Sequence, residues 1–401
     1  MKHSRLLVMT STYPRWSGDA TPDFIERLVE NTEQAHERTY VLAPHAARAK
    51  HYETIGRRRV IRYRYSVPAT TQNITYDGGG VDKVKINALY GIKLVLLMAS
   101  QTAYALWLVI FRRIEVINAH WIVPQGFIAI VVKLITGTPV VVSVHGGDVQ
   151  SLNGKIMRAF KRFVLRRADA VIVNSSATRA ECKKIYAERE YKIIPMGVDF
   201  TQFTPRQPSS QLQQKYQLNS KETTFLFVGR LAKVKGTNYL IEAAQRLVAD
   251  GVAFKLLIAG DGPLKSEIEA FIAKHNLSRR VQCIGWIDKR DLNALYSSVD
   301  VLVGPSVHEA QGLVFAEALA SGTPVIASRV GGIVDIVKDG HNGFLVPVGD
   351  VEGLVERMKT LATQPKLLAK FKANTRSGVE EKYSWQNVAT QYAKEIKGVI
   401  R

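Results

Sequence analysis

Cysteine is nearly absent from this 401-residue chain, which holds only Cys182 and Cys283. Two thiols so far apart make neither a disulfide framework nor a metal-binding or redox motif, and they fit a reducing compartment. A secretory leader is not read at the start either. Lys2 and Arg5 supply a positive head, but the apolar run stops after Met9 and gives way to Thr-Ser-Thr-Tyr-Pro, so it reads as a first buried strand. There is no short-period repeat and no low-complexity tract, which excludes solenoids and collagen-like chains. Zinc-finger, RNA-binding and basic-zipper signatures are missing, so nucleic acid is set aside as a partner.

What the chain has is ordinary apolar content and an excess of positive charge. Hydrophobic residues make up 46% and charged residues 22%, enough to bury a core and exclude large-scale disorder. The length calls for two or three domains. The net charge is +20, of which +13 falls in residues 1–200 and +7 in 201–401. Such a surface attracts anionic membranes or phosphate-bearing ligands.

Short apolar runs alternate with helical patterns throughout. In the first half, 5–9, 39–43, 116–118, 139–144 and 170–174 read as strands, and 23–35 has helical spacing. In the second half, strands at 224–228, 254–259, 281–284, 301–304 and 324–328 alternate with helices at 236–250, 264–275, 291–297 and 312–320. Nearly all-apolar strands separated by helices imply parallel sheets covered on both faces. The expected fold is α/β: two doubly wound, Rossmann-like domains facing across a cleft that lies at their strand carboxyl ends. Thr204 to Ser210, with two prolines and small polar residues, reads as the linker. The expected domains are 1–203, 204–380 and a C-terminal helix at 381–401 packing back toward the first domain.

Residues 94–111 are almost uncharged. They are marginal for a membrane span, which needs about 20 predominantly apolar residues, and carry Ser100, Gln101 and Thr102 in the middle. A buried crossover helix is the preferred reading. Contact with a membrane surface is the second, because Lys83, Lys85 and Lys93 precede the stretch, Arg112 and Arg113 follow it, and a basic, partly apolar cluster spans 155–167.

Three segments carry chemistry. His308 to Gly322 follows one strand and precedes another, placing Glu309 in a loop at a strand's carboxyl end. Gly312 and Leu313 open a helix whose free N–H groups suit anionic oxygens. Glu317, inside that apolar helix, needs a partner such as a ligand hydroxyl or a neighbouring cation. Second, Val228-Gly229-Arg230 runs on to Lys235-Gly236, offering a guanidinium fork and a mobile ammonium for phosphate. Third, Ser143-Val144-His145-Gly146-Gly147-Asp148 ends a strand, and its glycines let backbone pass close to a ligand. Asn174, Ser175 and Ser176 end another strand and suit a helix cap.

Taken together, these segments resemble the retaining glycosyltransferases of sequence family 4, which have the GT-B fold. The resemblance rests on Gly229-Arg230 with Lys235-Gly236, Ala259-Gly260-Asp261-Gly262, Pro305 to Phe315, and the Glu309/Glu317 pair. His145 to Asp148, Asn174-Ser175 and Pro195 to Asp199 complete it, in the family's order. It implies that Arg230 and Lys235 grip the donor diphosphate and Glu309 the transferred sugar. Glu317 would bind the ribose, Gly312 and Leu313 would supply amides, and His145 would lie near sugar and acceptor. The loop from Gly285 to Asp288 would pass the base. Where many relatives have paired glycines in the first loop, this chain has Gly18 alone within Tyr13 to Asp19; Arg15 there is a candidate phosphate or acceptor contact.

The resemblance implies sugar transfer from a nucleoside diphosphate sugar with retention, by same-face attack. No cofactor is implied and no metal is expected, in keeping with the lack of an Asp-x-Asp motif. The favoured donor is a UDP-sugar, with a GDP-sugar next. The acceptor expected is a glycan or lipid-linked hydroxyl in cell-envelope synthesis, at the cytoplasmic face of a membrane. A small soluble acceptor, an epimerase of the same fold and a non-catalytic binding protein are the alternatives.

Overall fold

The computed structural model describes residues 4–16, 18–19, 21–76, 88–151, 154–219 and 221–400. Lys83 and Lys85 lie outside the described residues. The chain divides into two compact units, Met1–Met196 with Trp385–Arg401, and Gly197–Ser384.

The first unit is an eight-stranded sheet of β1 (Ser4–Met9), β2 (His36–Pro44), β3 (Tyr52–Ile55), β4 (Arg58–Tyr63), β5 (Val116–His120), β6 (Val140–Val144), β7 (Ala170–Val173) and β8 (Lys192–Ile193). Its order is β3-β4-β2-β1-β5-β6-β7-β8, parallel except for the edge hairpin β3-β4. The central strands are largely closed to solvent, and all five residues of β6 (Val-Val-Val-Ser-Val) are buried. Such runs suit a sheet covered on both faces. The helices needed here are α1 (Phe24–Thr32), α2 (Ala88–Arg112), α3 (Phe127–Thr136), α4 (Lys155–Arg167) and α5 (Ser176–Ile185). Helix α3 stops where Gly137 takes the left-handed conformation and its N–H bonds back to Lys133 O.

Helix α2 is the apolar stretch, and it is a crossover helix, as the preferred reading had it. Leu97, Ala105 and Leu108 are fully buried against the sheet, each leucine contributing about 1.5–3 kcal/mol. The expectation that this helix is buried holds only for its inner face, because its outer face is exposed. It packs on β2 and β4, near the end of the sheet, and on α3.

The second unit is a six-stranded parallel sheet of β9 (Thr223–Val228), β10 (Phe254–Ala259), β11 (Val281–Gly285), β12 (Val301–Gly304), β13 (Val325–Ser328) and β14 (Gly343–Val346). Its order, β11-β10-β9-β12-β13-β14, reverses direction between β9 and β12, and ligands bind at the carboxyl ends flanking such a reversal. Helices α6 (Thr237–Ala249) and α7 (Leu313–Ala320) follow those two strands.

The division falls at Met196, ahead of the proline-rich stretch. Val198 pairs with Ser384, its N–H donating to Tyr383 O at 2.7 Å, and Phe203 is buried in the second core, so 197–203 belong to the second unit. Helix α8 (Trp385–Gly398) returns to the first unit and packs on α1.

Candidate active site

The loops after β9 and β12 meet at the reversal point of the second sheet. Lys235 Nζ donates to Glu309 Oε2 at 2.5 Å, with both side chains largely buried. The backbone fixes this pair from both sides. The amides of Val307 and His308 donate to Val234 O at 2.9 and 3.3 Å, and Gly332 N–H donates to Glu309 O. Gly236 is required at its position: it has φ +67°, and a Cβ there would lie 1.9 Å from Pro305 O. The two residues quoted from separate motifs are thus locked in one place.

Arg230 stands on the same β9 loop, exposed and without a hydrogen-bond or ion-pair partner among the described residues. A guanidinium so placed is free to take an anionic ligand. Leu231 N–H donates to Asp261 O, tying this loop to Gly260-Asp261-Gly262 after β10. Gly312 enters α7 at φ +89° and offers no side-chain cap, so the amides that open the helix keep their capacity for an acceptor. A small cavity at this point is lined by Lys235, Ser306, Glu309 and Phe315.

Glu317 lies one turn further into α7. It is buried, and the Tyr296 hydroxyl donates to its Oε2 at 3.5 Å. Burial first, and then the Glu317 carboxylate, push the Tyr296 hydroxyl well above its usual range. Gly285 ends β11, where its carbonyl accepts from Gly260 N–H at 2.7 Å, and Trp286 beside it is exposed. Among the described residues no group of three His, Cys, Asp or Glu side chains is placed to hold a metal ion.

In the first unit His145 ends β6, and its Nε2 lies 2.9 Å from Nδ1 of His120 at the end of β5. The rings are parallel, and Trp121 and Phe24 pack against His145. Burial pushes the His145 imidazole down to about 3. Burial and the neighbouring His145 hold His120 well below its ordinary value. Both rings are therefore neutral at pH 7, sharing one N–H···N bond. Asp148 accepts from the amides of Ile122 at 2.7 Å and His145 at 3.3 Å, which clamps the turn. Asn174 donates to His145 O at 3.0 Å.

Two sequence families match the two units in turn. Residues 24–202 match the family described as Glycosyltransferase Family 4, and residues 209–378 match Glycosyl transferases group 1. The chain is a family 4 glycosyltransferase. It is similar to an uncharacterized glycosyltransferase of Methanocaldococcus jannaschii, with 29% identity over 83% of this chain and 87% of the relative. It is also similar to N-acetyl-alpha-D-glucosaminyl L-malate synthase of Bacillus anthracis, with 26% identity over 72% and 76%. The fold is that of sucrose-phosphate synthase from Thermosynechococcus elongatus, with a TM-score of 0.81, 22% identity and 99% of each chain covered. The protein therefore has the GT-B fold and is a retaining, nucleotide-sugar-dependent hexosyltransferase.

In this glycosyltransferase the first loop is built around an internal ion pair. Arg15 Nη2 and Nε reach the two Asp19 oxygens at 2.7 and 2.9 Å, and Arg15 stacks on Trp16 and Tyr76. Burial works against the Asp19 charge, but the Arg15 hydrogen bonds outweigh it and hold the carboxyl well below the usual range. Gly18 sits exposed in this loop at φ +79°. Ser175 caps α5 by accepting from Thr178 N–H at 3.1 Å. His120 and Tyr296 were not singled out from sequence. His120 does share the signal of His145, a polar residue closing an apolar strand.

Proposed function

We propose that this enzyme moves a sugar from a nucleoside diphosphate sugar to a hydroxyl of a glycan or lipid-linked acceptor, in cell-envelope polysaccharide or glycolipid synthesis at the cytoplasmic face of a membrane. A UDP-sugar is the first donor to test and a GDP-sugar the second. The Lys235–Glu309 pair, fixed at 2.5 Å beside the open start of α7, is the observation that carries the reading.

Cleavage of the sugar–phosphate bond builds negative charge on the leaving diphosphate and positive charge on the ring. Arg230, Lys235 and the amides at Gly312 and Leu313 meet the first charge with donors already in place, which is where preorganised electrostatics acts most strongly. Glu309 orients the transferred sugar and offsets charge at the ring, while Glu317 takes the ribose hydroxyls. The cations supply what a divalent ion would otherwise supply, so turnover proceeds without a metal. His145, neutral and fixed by His120, stands near the sugar as a hydrogen-bonding group. Gly18 lets the first loop approach the diphosphate, and the turn at Gly285 passes the base. Retention follows from same-face attack, with the leaving phosphate accepting the acceptor's proton.

A donor screen reading nucleoside diphosphate release, with and without chelator, tests the reading. Turnover by wild type but not by Arg230→Ala supports it. Equal turnover by both, or a covalent glycosyl adduct on Glu309, overturns it.

A further inference from the structure

Helix α2 has two faces, and both are apolar. The inner one is built into the core through Leu97, Ala105 and Leu108. The outer one is a continuous stripe of Ile92, Leu96, Ala99, Ala103, Trp107 and Ile110, every one exposed. Steps of three and four residues put them in one line, about 27 Å long at 1.5 Å per residue. Phe111, 69% exposed, extends it. A helix that is apolar all round is ordinarily enclosed, and a bare stripe of this length marks a contact site.

The neighbouring helices continue the pattern. α3 packs on α2, and α4 packs on α3. All three run against the parallel strands they connect, so their carboxyl ends share one edge of the sheet. At that edge Leu134 and Ile135 of α3 are exposed beside the end of α2. Exposed cations border the apolar residues there: Arg112 at the end of α2, Arg113 just after it, and Arg166 and Arg167 at the end of α4. Arg112 lies over the Trp107 ring at 5.2 Å. None of the three helices contains an aspartate or glutamate.

We propose that the outer face of α2, with the carboxyl ends of α3 and α4, is a docking surface that seats in the headgroup region of an anionic lipid bilayer. The acids next to these helix ends, Glu115 and Asp169, respectively accept from Arg5 N–H and pair with Lys133 at 2.7 Å, and apolar residues with arginines in excess match a surface that is oily below and negative above. A transmembrane role for α2 is incompatible with its inner face, since crossing would pull Leu97 and Leu108 out of the core. A second copy of the chain is disfavoured because a symmetric contact would bring two faces with an excess of arginine together. The proposal deepens the membrane-face location proposed above and is independent of the donor.

The test is flotation of the full chain with vesicles of equal parts phosphatidylglycerol and phosphatidylcholine, against phosphatidylcholine alone. Binding is expected only to the anionic vesicles, and is expected to fall in about 0.5 M salt, where charge is screened over a few ångströms. Combining Leu96→Glu, Trp107→Glu and Phe111→Glu should lower bound protein about tenfold or more, with thermal unfolding and donor hydrolysis unchanged. The set Arg112→Gln, Arg113→Gln, Arg166→Gln and Arg167→Gln should remove the preference for anionic lipid. If the glutamate variant is misfolded, brominated phosphatidylglycerol reads the same contact: it should quench wild-type tryptophan fluorescence more than that of Trp107→Phe. No binding to anionic vesicles, equal flotation of the glutamate variant, equal quenching in Trp107→Phe, or a solution dimer that these substitutions dissociate would each overturn the proposal. Turnover of a water-soluble acceptor by a chain that does not float would sink the docking surface and leave the transferase reading intact.

Discussion

The two sheets put opposite chemistry at their strand carboxyl ends. Where the second sheet reverses, the strand ends carry an exposed Arg230 and a Lys235–Glu309 ion pair. In the first sheet the strand ends at β5 and β6 carry two neutral, desolvated imidazoles bonded to each other. The same architecture is tuned for charge in one unit and for neutrality in the other. A group that must meet a diphosphate has to stay ionised and reachable. On the proposed reading the imidazoles face a neutral sugar, where a fixed protonation state is an advantage. Position in the fold therefore decides where a ligand binds, while burial and partners decide what the site can do.

Substitutions can break this contrast. The largest effect is expected on turnover in the second unit. Arg230→Ala or Lys235→Ala should each remove on the order of 2–4 kcal/mol of transition-state stabilisation, about 30- to 1,000-fold in kcat/KM. Because Arg230 is exposed and has no partner among the described residues, its loss should leave unfolding free energy within about 0.5 kcal/mol of wild type; a drop several times larger in denaturant titration would make it structural. His120→Ala should show the reverse balance, destabilising by about 1–3 kcal/mol because His145 loses its buried partner. Calorimetry on that variant reads it directly. Gly236→Ala tests the backbone that aims Lys235, and should cost about 1–2 kcal/mol from the left-handed conformation before the clash with Pro305 O is counted. An unchanged melting temperature would show that the loop has another conformation within reach.

A pH slope tests the neutral pair itself. His145 has a folded value near 3 against an ordinary 6.5, so below pH 6.5 the unfolded chain binds the proton that the folded chain refuses. Stability should then fall as pH drops from 6.5 toward 3, by about 1.4 kcal/mol per pH unit for each such proton. Replacing both rings with asparagine should flatten that part of the curve. A slope that persists would place the sensitivity elsewhere.

Much of this was legible before any coordinates. Alternating apolar strands and helices specify parallel doubly wound sheets, because each strand carries its own burial pattern. The Lys235 and Glu309 motifs were legible for the same reason, each sitting just beyond a strand it could be read from. The His120–His145 bond was not, since only the adjacency of β5 and β6 brings together residues 25 positions apart. Nor was the bare side of α2. A helix apolar on all faces does not reveal which face the sheet will cover. The placement of 197–203 depended on Val198 meeting Ser384, a pairing no local pattern encodes.

Helix α8 has a consequence for how the molecule is made. The second unit is one uninterrupted segment, whereas the first needs a helix that the ribosome delivers only after the second unit has been translated. All eight strands of the upstream sheet are made before the second unit begins, but the flank of α1 that α8 covers stays open until the second unit is finished. Clipping α8 should accordingly injure the half of the protein that was synthesised first.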